Sequence, residues 1–249
     1  MNNAILNNFI LQDSGGKYEI PISTSDLLFY VDANRYSGTG DWLDETGNGY
    51  DFTGQNSPSF TSGSNSYFTL DNAGSGNDEM FLCQFTPAKN MDQWSVHIWL
   101  YMTGNGNETY QTVFDKDSDE ELCYLYGDTD PEMAMWAPNI DSGYNITDGL
   151  WLNLVWTYVE DSGPGDNGIC KFFENGVRVP TPTSLFNHND GSSSATQFTI
   201  GGGYSGGGGG SPNEVMDGRI GECGLYEDLA LSDGEVLSNF NATKARYGY

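Results

Sequence analysis

The sequence predicts an all-β fold with one short helix at its C-terminal end. Three observations carry this. First, Gly supplies 33 of 249 residues and aromatics 14%, while Lys and Arg together number only 9. A chain rich in Gly, Asn, Ser, Thr and aromatics, and poor in Lys, suits short strands joined by many turns. Second, residues 94–102 alternate with a period of two. Trp94, Val96, Ile98, Leu100 and Met102 take one side; Ser95, His97, Trp99 and Tyr101 take the other. That is the pattern of a strand. Third, helical spacing is clear at the C-terminal end. Val236, Phe240, Thr243 and Tyr247 recur at i, i+4, i+7 and i+11, behind a capping box that runs from Ser232 to Glu235. The length suits one large all-β domain, and 37% hydrophobic residues suffice for its core.

The elements follow in order. Residues 1–24 read as an arm, and residues 25–249 as the domain. In the arm, Ile5, Leu6, Phe9, Ile10 and Leu11 are separated by Asn residues, while Tyr18, Ile20 and Ile22 alternate as a strand would, within this chain or added to a neighbour. Residues 26–52 open with an apolar strand and continue into turns. There Asp44 and Asn48 suit Asx turns, Gly47 and Gly49 supply positive φ, and Trp42 is expected to plug one end of the core. Asp32 and Asp44 as cation ligands are a weaker alternative to turn capping. Short strands are expected at 66–70 and 80–85, around a polar loop. After strand 94–102, a hairpin joins 112–116 to 121–127. Further strands are expected at 133–137 and 151–159, the latter placing Leu152, Leu154, Trp156 and Tyr158 on one face. The run 169–174 turns at Asn175-Gly176, a pair favoured in type I′ turns, into 177–179. A strand at 197–202 leads into the Gly-rich loop 201–210, which lacks the Lys, the Thr and the following helix of a phosphate loop. The last strand covers 220–226. In the final helical turn Lys244 and Arg246 meet the helix dipole, and Gly248 stops the helix.

The net charge of −26 excludes nucleic acid and anionic membrane surfaces as partners, since both need clustered Lys and Arg. It allows divalent cations or a basic protein, and solubility alone explains it. The first residues have neither the basic nor the apolar run of a signal peptide, and no segment is long and apolar enough for a membrane span. Cys83, Cys123, Cys170 and Cys223 lie far apart without metal-ligand spacing, so buried free thiols are expected; disulfides are not demanded. His97 and His188 lack partners at metal or catalytic spacing. Asp117, Asp119 and Glu121 place three carboxylates at i, i+2 and i+4, one face of an extended strand. A solvated hairpin tip is the expected reading, because a buried catalytic strand would alternate its carboxylates with apolar residues; calcium at this tip is a second reading. His97, Trp99 and Tyr101 form a candidate sugar-stacking platform, set against cover by a loop or subunit.

Several short motifs then share one resemblance. The opening carries Leu28, Tyr30, Asp32, Ala33, Asn34, Trp42, Asp44, Thr46, Gly47, Asn48 and Gly49. The ending carries Gly218, Ile220, Glu222, Leu225, Tyr226, Ala230, Leu231, Ser232, Glu235 and Val236, then Arg246, Tyr247 and Gly248. Between them lie the 151–158 strand, the hairpin through Asn175-Gly176 and the 197–202 strand. The chain resembles laminin-G-like, concanavalin A-type lectin/glucanase domains over nearly its whole length, with Cys223 where such domains usually carry Val. The resemblance implies a jelly-roll sandwich of two antiparallel sheets with a short C-terminal helix, first and last strands being near neighbours. It also implies a function. Standalone domains of this kind resemble structural components of virus or phage particles: capsid decoration, fibre or tail. The expected role is therefore non-catalytic, on the virion surface, with other virion proteins or further copies as partners and glycans as a further ligand. A lectin-like module is the alternative, and a glycoside hydrolase using Glu121 the third. No cofactor is expected; calcium is left open.

Overall fold

The computed structural model describes residues 19–71, 78–90, 92–103, 110–116, 123–127, 131–135, 140–161, 167–180, 186–187, 194–204 and 212–249. Among these, two large antiparallel sheets form a sandwich. The first has nine strands. Val177–Arg178, Asn167–Glu174, Trp151–Asp161, Gln93–Met102, Gly218–Glu227, Tyr67–Leu70 and Ser59–Thr61 follow one another across it. Leu27–Asp32 also pairs with Gly218–Glu227, and Phe186–Asn187 with Asn167–Glu174. The second sheet has seven strands in the order Ile140–Asn145, Glu132–Met135, Cys123–Tyr126, Tyr110–Lys116, Ser194–Ile200, Met80–Asn90 and Thr53–Gln55. The expected jelly-roll class and the pairing of first and last strands are both present.

The inner faces meet as alternation requires. Val96, Ile98, Leu100, Leu152, Leu154 and Trp156 face Phe81, Phe114, Leu125, Met133, Phe198 and Ile200 in one buried cluster. The Trp156 indole donates across the sandwich to the Ala134 carbonyl at 3.0 Å, satisfying its N–H inside the core. Trp42 is buried in the main core against Phe68 and Phe81, and its backbone pairs with Phe52. The four cysteines are buried and free.

One irregularity decides what the last strand presents. Ile220 pairs with Leu100, yet Glu222 pairs with Trp99, so Gly221 is an extra residue. Such a bulge resets the alternation. Arg219 and Glu222 thereby both face outward, while Ile220 and Cys223 face the core. Only glycine fits this bulge, because a Cβ at Gly221 would overlap the Tyr247 ring.

Some details differ from expectation. The strands Thr53–Gln55, Ser59–Thr61 and Ile140–Asn145 were not foreseen, and Met80–Asn90 is longer than read. Their polar sequences hide them; backbone pairing, not side-chain pattern, holds them in place. Residues 19–24 form no strand. Instead Ile22 enters a second cluster with Leu27, Tyr30, Val155, Phe173, Tyr226, Leu231 and Val236, on the outer face of the nine-stranded sheet. The rest of the arm, the acidic tip at 117–122 and the Gly-rich loop at 205–211 lie outside the described residues.

Candidate functional site

The outer face of Gln93–Met102 carries the candidate platform, and the C-terminal helix Asp233–Thr243 lies across it. The helix begins as its sequence predicts. The Ser232 hydroxyl accepts from the Glu235 amide at 3.3 Å, and the Glu235 carboxylate accepts from the Ser232 amide at 2.8 Å. Its apolar stripe then seals the sheet. Trp99 stacks on Tyr247 at 4.1 Å and 13°, and its indole donates to the Thr243 hydroxyl at 2.8 Å. Phe240 adds a second ring at 5.8 Å. His97 and Trp99 are each 0% exposed. This corrects the platform reading at those two positions: with the helix docked, neither ring has a face to offer a sugar. Tyr101, one pleat beyond the helix, stays half-buried.

Beneath the helix lies a sealed charge cluster. Arg246 donates to Glu222 at 2.6 Å and to Asp32 at 3.0 Å. Glu222 also meets His97 at 3.3 Å and the Tyr247 hydroxyl at 3.3 Å. The Asn153 amide nitrogen lies 3.4 Å from His97 Nδ1 and donates to the Ile98 carbonyl at 3.2 Å. Burial acts to raise the Glu222 pKa. The His97 hydrogen bond and the neighbouring Arg246 cation outweigh it, leaving the carboxyl below its ordinary value. A histidine, a glutamate and an arginine in contact suggest acid–base chemistry. However, Asp32, His97 and Glu222 have no accessible surface, so the cluster clasps the helix to the sheet.

Next to the sealed region the same sheet face opens. Tyr101 pairs across the strands with Arg219 on one side and Trp151 on the other. The Arg219 guanidinium lies 4.7 Å from the Tyr101 ring centroid and 4.9 Å from that of Tyr67. Trp151 stands 5.9 Å from Tyr101 and 5.8 Å from Tyr67. All four side chains are half-buried. Tyr249, 49% exposed, donates to the Trp151 carbonyl at 2.6 Å. Of the expected platform, then, Tyr101 alone reaches this row. Tyr67, Trp151 and Arg219 were missed because strand register, and the extra residue at Gly221, are not legible in the alternation of 94–102.

The weaker candidates divide. Asp44 caps a turn: its carboxylate accepts from the amides of Tyr30, Thr46, Asn48, Gly49 and Tyr50 at 2.9–3.3 Å. Asp32 accepts from Asn34 at 2.9 Å as well as from Arg246. Both carboxylates are thus occupied by protein donors. A cleft of about 430 Å³ is lined by Asp26, Leu27, Leu28, Asn48, Tyr50, Glu227 and Asp228. Among the described residues, no group of three or more His, Cys, Asp or Glu is placed to hold a metal ion.

Solved structures share this architecture. Domain 4 of an extracellular arabinanase from Geobacillus stearothermophilus, solved in complex with arabinotriose, aligns with a TM-score of 0.56 and 17% identity, covering 86% of this chain and 98% of that one. The binding domain of botulinum neurotoxin serotype D/C aligns with a TM-score of 0.62 and 11% identity, over 88% of this chain and 52% of that one. A Trypanosoma rangeli sialidase in complex with sialic acid aligns with a TM-score of 0.61 and 12% identity, over 92% of this chain. This chain therefore spans about half the neurotoxin chain and, at 35%, about a third of the sialidase. At such identities the likeness is one of fold. No protein of curated function matches the chain. A family model described as the concanavalin A-like lectin/glucanases superfamily matches residues 62–237.

Proposed function

The chain belongs to the concanavalin A-like lectin/glucanase superfamily, and on that premise we propose that it is a non-catalytic carbohydrate-binding module. Fold alone does not decide function. The observation that carries the reading is the half-exposed row of Tyr67, Tyr101 and Trp151, whose rings converge to 5.8 and 5.9 Å around Arg219. Aromatic faces offer a pyranose an apolar surface for its C–H groups, and an adjacent fork of N–H donors suits its oxygens. The arabinanase domain, matched over nearly its full length and solved with arabinotriose, supports a saccharide as the ligand class. Glycoside hydrolysis ordinarily needs two carboxyl groups flanking the bond. The row supplies an arginine in their place, and Glu222 is sealed beneath the helix.

Binding to a neutral oligosaccharide panel, measured by affinity electrophoresis or calorimetry, tests this reading. Trp151→Ala and Tyr67→Ala are each expected to weaken binding at least about tenfold, the loss of roughly 1.4 kcal/mol of stacking. Binding that survives both substitutions, or release of reducing ends from any bound saccharide, overturns it.

The setting we propose is the surface of a virus or phage particle, with other particle proteins or further copies of the chain as partners. The charge of −26 supports a solvent-facing position away from nucleic acid. A protein that stays monomeric and never cofractionates with particles counts against that setting and leaves the carbohydrate reading standing.

A further inference from the structure

We propose that the row around Arg219 selects saccharides bearing a carboxylate, with the Arg219 guanidinium as the anchor of the acid group. This rests on the carbohydrate-binding reading and specifies its ligand class.

The inference starts from an imbalance. The chain holds 35 acidic residues against 9 basic ones, so a cation on its surface has many anions to choose from. Three of the other basic side chains find one, while Lys244 donates to the Asn241 amide oxygen instead. Arg246 takes Asp32 and Glu222, Arg35 lies 3.8 Å from Glu45, and Lys171 lies 3.6 Å from Asp233. Among the described residues no carboxylate pairs with Arg219. Its neighbours are two tyrosine faces, at 4.7 and 4.9 Å.

Stacking on aromatic rings holds a guanidinium in plane and leaves its hydrogen-bonding donors unspent. A planar fork of that kind matches a carboxylate with two parallel hydrogen bonds, the strongest pairing it makes. Four neighbouring strands supply the parts: Tyr67–Leu70, Gly218–Glu227, Gln93–Met102 and Trp151–Asp161. Groups mounted on paired strands are held more firmly than groups on loops. The bulge at Gly221 contributes too, since it lets Arg219 and Glu222 share the outer face, one open and one sealed. A pyranose lying on Trp151 and Tyr101 would bring a ring-borne carboxylate to the guanidinium. The overall negative charge opposes such a ligand at long range, yet a contact pair acts well inside the screening length of about 8 Å at physiological salt.

The test compares matched oligosaccharides by calorimetry with the full chain. One series is neutral, one carries a uronic or sialic acid in place of a neutral residue, and one carries a sulfate. The wild type is expected to bind the carboxylated series about tenfold or more tighter than the neutral one. Arg219→Gln should abolish that preference, so that the carboxylated and neutral series bind within about twofold of each other. Arg219→Lys should restore only part of it, because an ammonium cannot form the bidentate pair. Thermal melts of both variants check that the fold is intact. Equal affinity for neutral and carboxylated sugars, a preference that survives Arg219→Gln, or tighter binding of the sulfated series overturns the carboxylate assignment while the carbohydrate reading stands. Absence of binding to every series overturns both.

Discussion

Glu222 is fully buried, and it stays ionised because His97 and Arg246 outweigh the effect of its burial. Removing its cation is therefore costly. Arg246→Ala leaves Glu222 and Asp32 buried without a counter-charge and is expected to lower stability by about 3–5 kcal/mol in denaturant unfolding. A loss below about 1 kcal/mol would mean that water takes the arginine's place. The pH dependence has a definite sign. A carboxyl whose pKa is lowered on folding contributes stability above its unfolded value of about 4.3, and that contribution is lost as pH falls through the folded value. Glu222→Gln should flatten the stability curve on the acid side, read as the difference from wild type. At this scale the sequence was partly legible. Turn capping by Asp44 could be read from the sequence. The burial of His97 and Trp99 could not be read from residues 94–102 alone, because the ring that covers Trp99 belongs to Tyr247, 148 positions later in the numbering.

The C-terminal helix links that residue-level question to the fold. Its stripe of Val236, Phe240, Thr243 and Tyr247 was visible in the sequence, and an apolar stripe has to cover something. The outer face of 94–102, aromatic where a solvent face would be polar, was the surface able to receive it. Matching these two patterns would have placed the helix without coordinates. Its start was fully legible, since capping depends on residues within four positions of one another. Ser232→Ala removes the cap and is expected to cost about 1 kcal/mol in thermal or chemical unfolding. An unchanged midpoint would mean that packing alone sets the helix start. The row of Tyr67, Arg219, Tyr101 and Trp151 was not legible at this scale. It depends on which residues of four strands stand opposite one another, and on the extra residue at Gly221.

Across the whole molecule the sandwich was legible because its inner faces alternate cleanly, and because the opening and closing motifs imply neighbouring strands. The polar strands at the sheet edges were not, since little of their sequence differs from turns. The same core predicts the behaviour of the thiols. Burial pushes Cys83 up to about 12 and raises the other three cysteines well above the ordinary range. A thiol reagent at pH 8 should find no reactive cysteine in the folded protein and all four after unfolding. Rapid labelling of the native protein would contradict the core described here. The position of Gly218–Glu227 has a further consequence. It lies between Gln93–Met102 on one side and Leu27–Asp32 with Tyr67–Leu70 on the other. During translation, at about 5–20 residues per second, those flanking strands emerge well before it. Until residues 218–227 leave the ribosome, the nine-stranded sheet lacks the strand that pairs with Gln93–Met102, with Tyr67–Leu70 and with Leu27–Asp32, and those three edges stay open. Unpaired edges of this kind recruit foreign strands, so the nascent chain is most exposed to wrong pairing until the strand that joins these edges emerges.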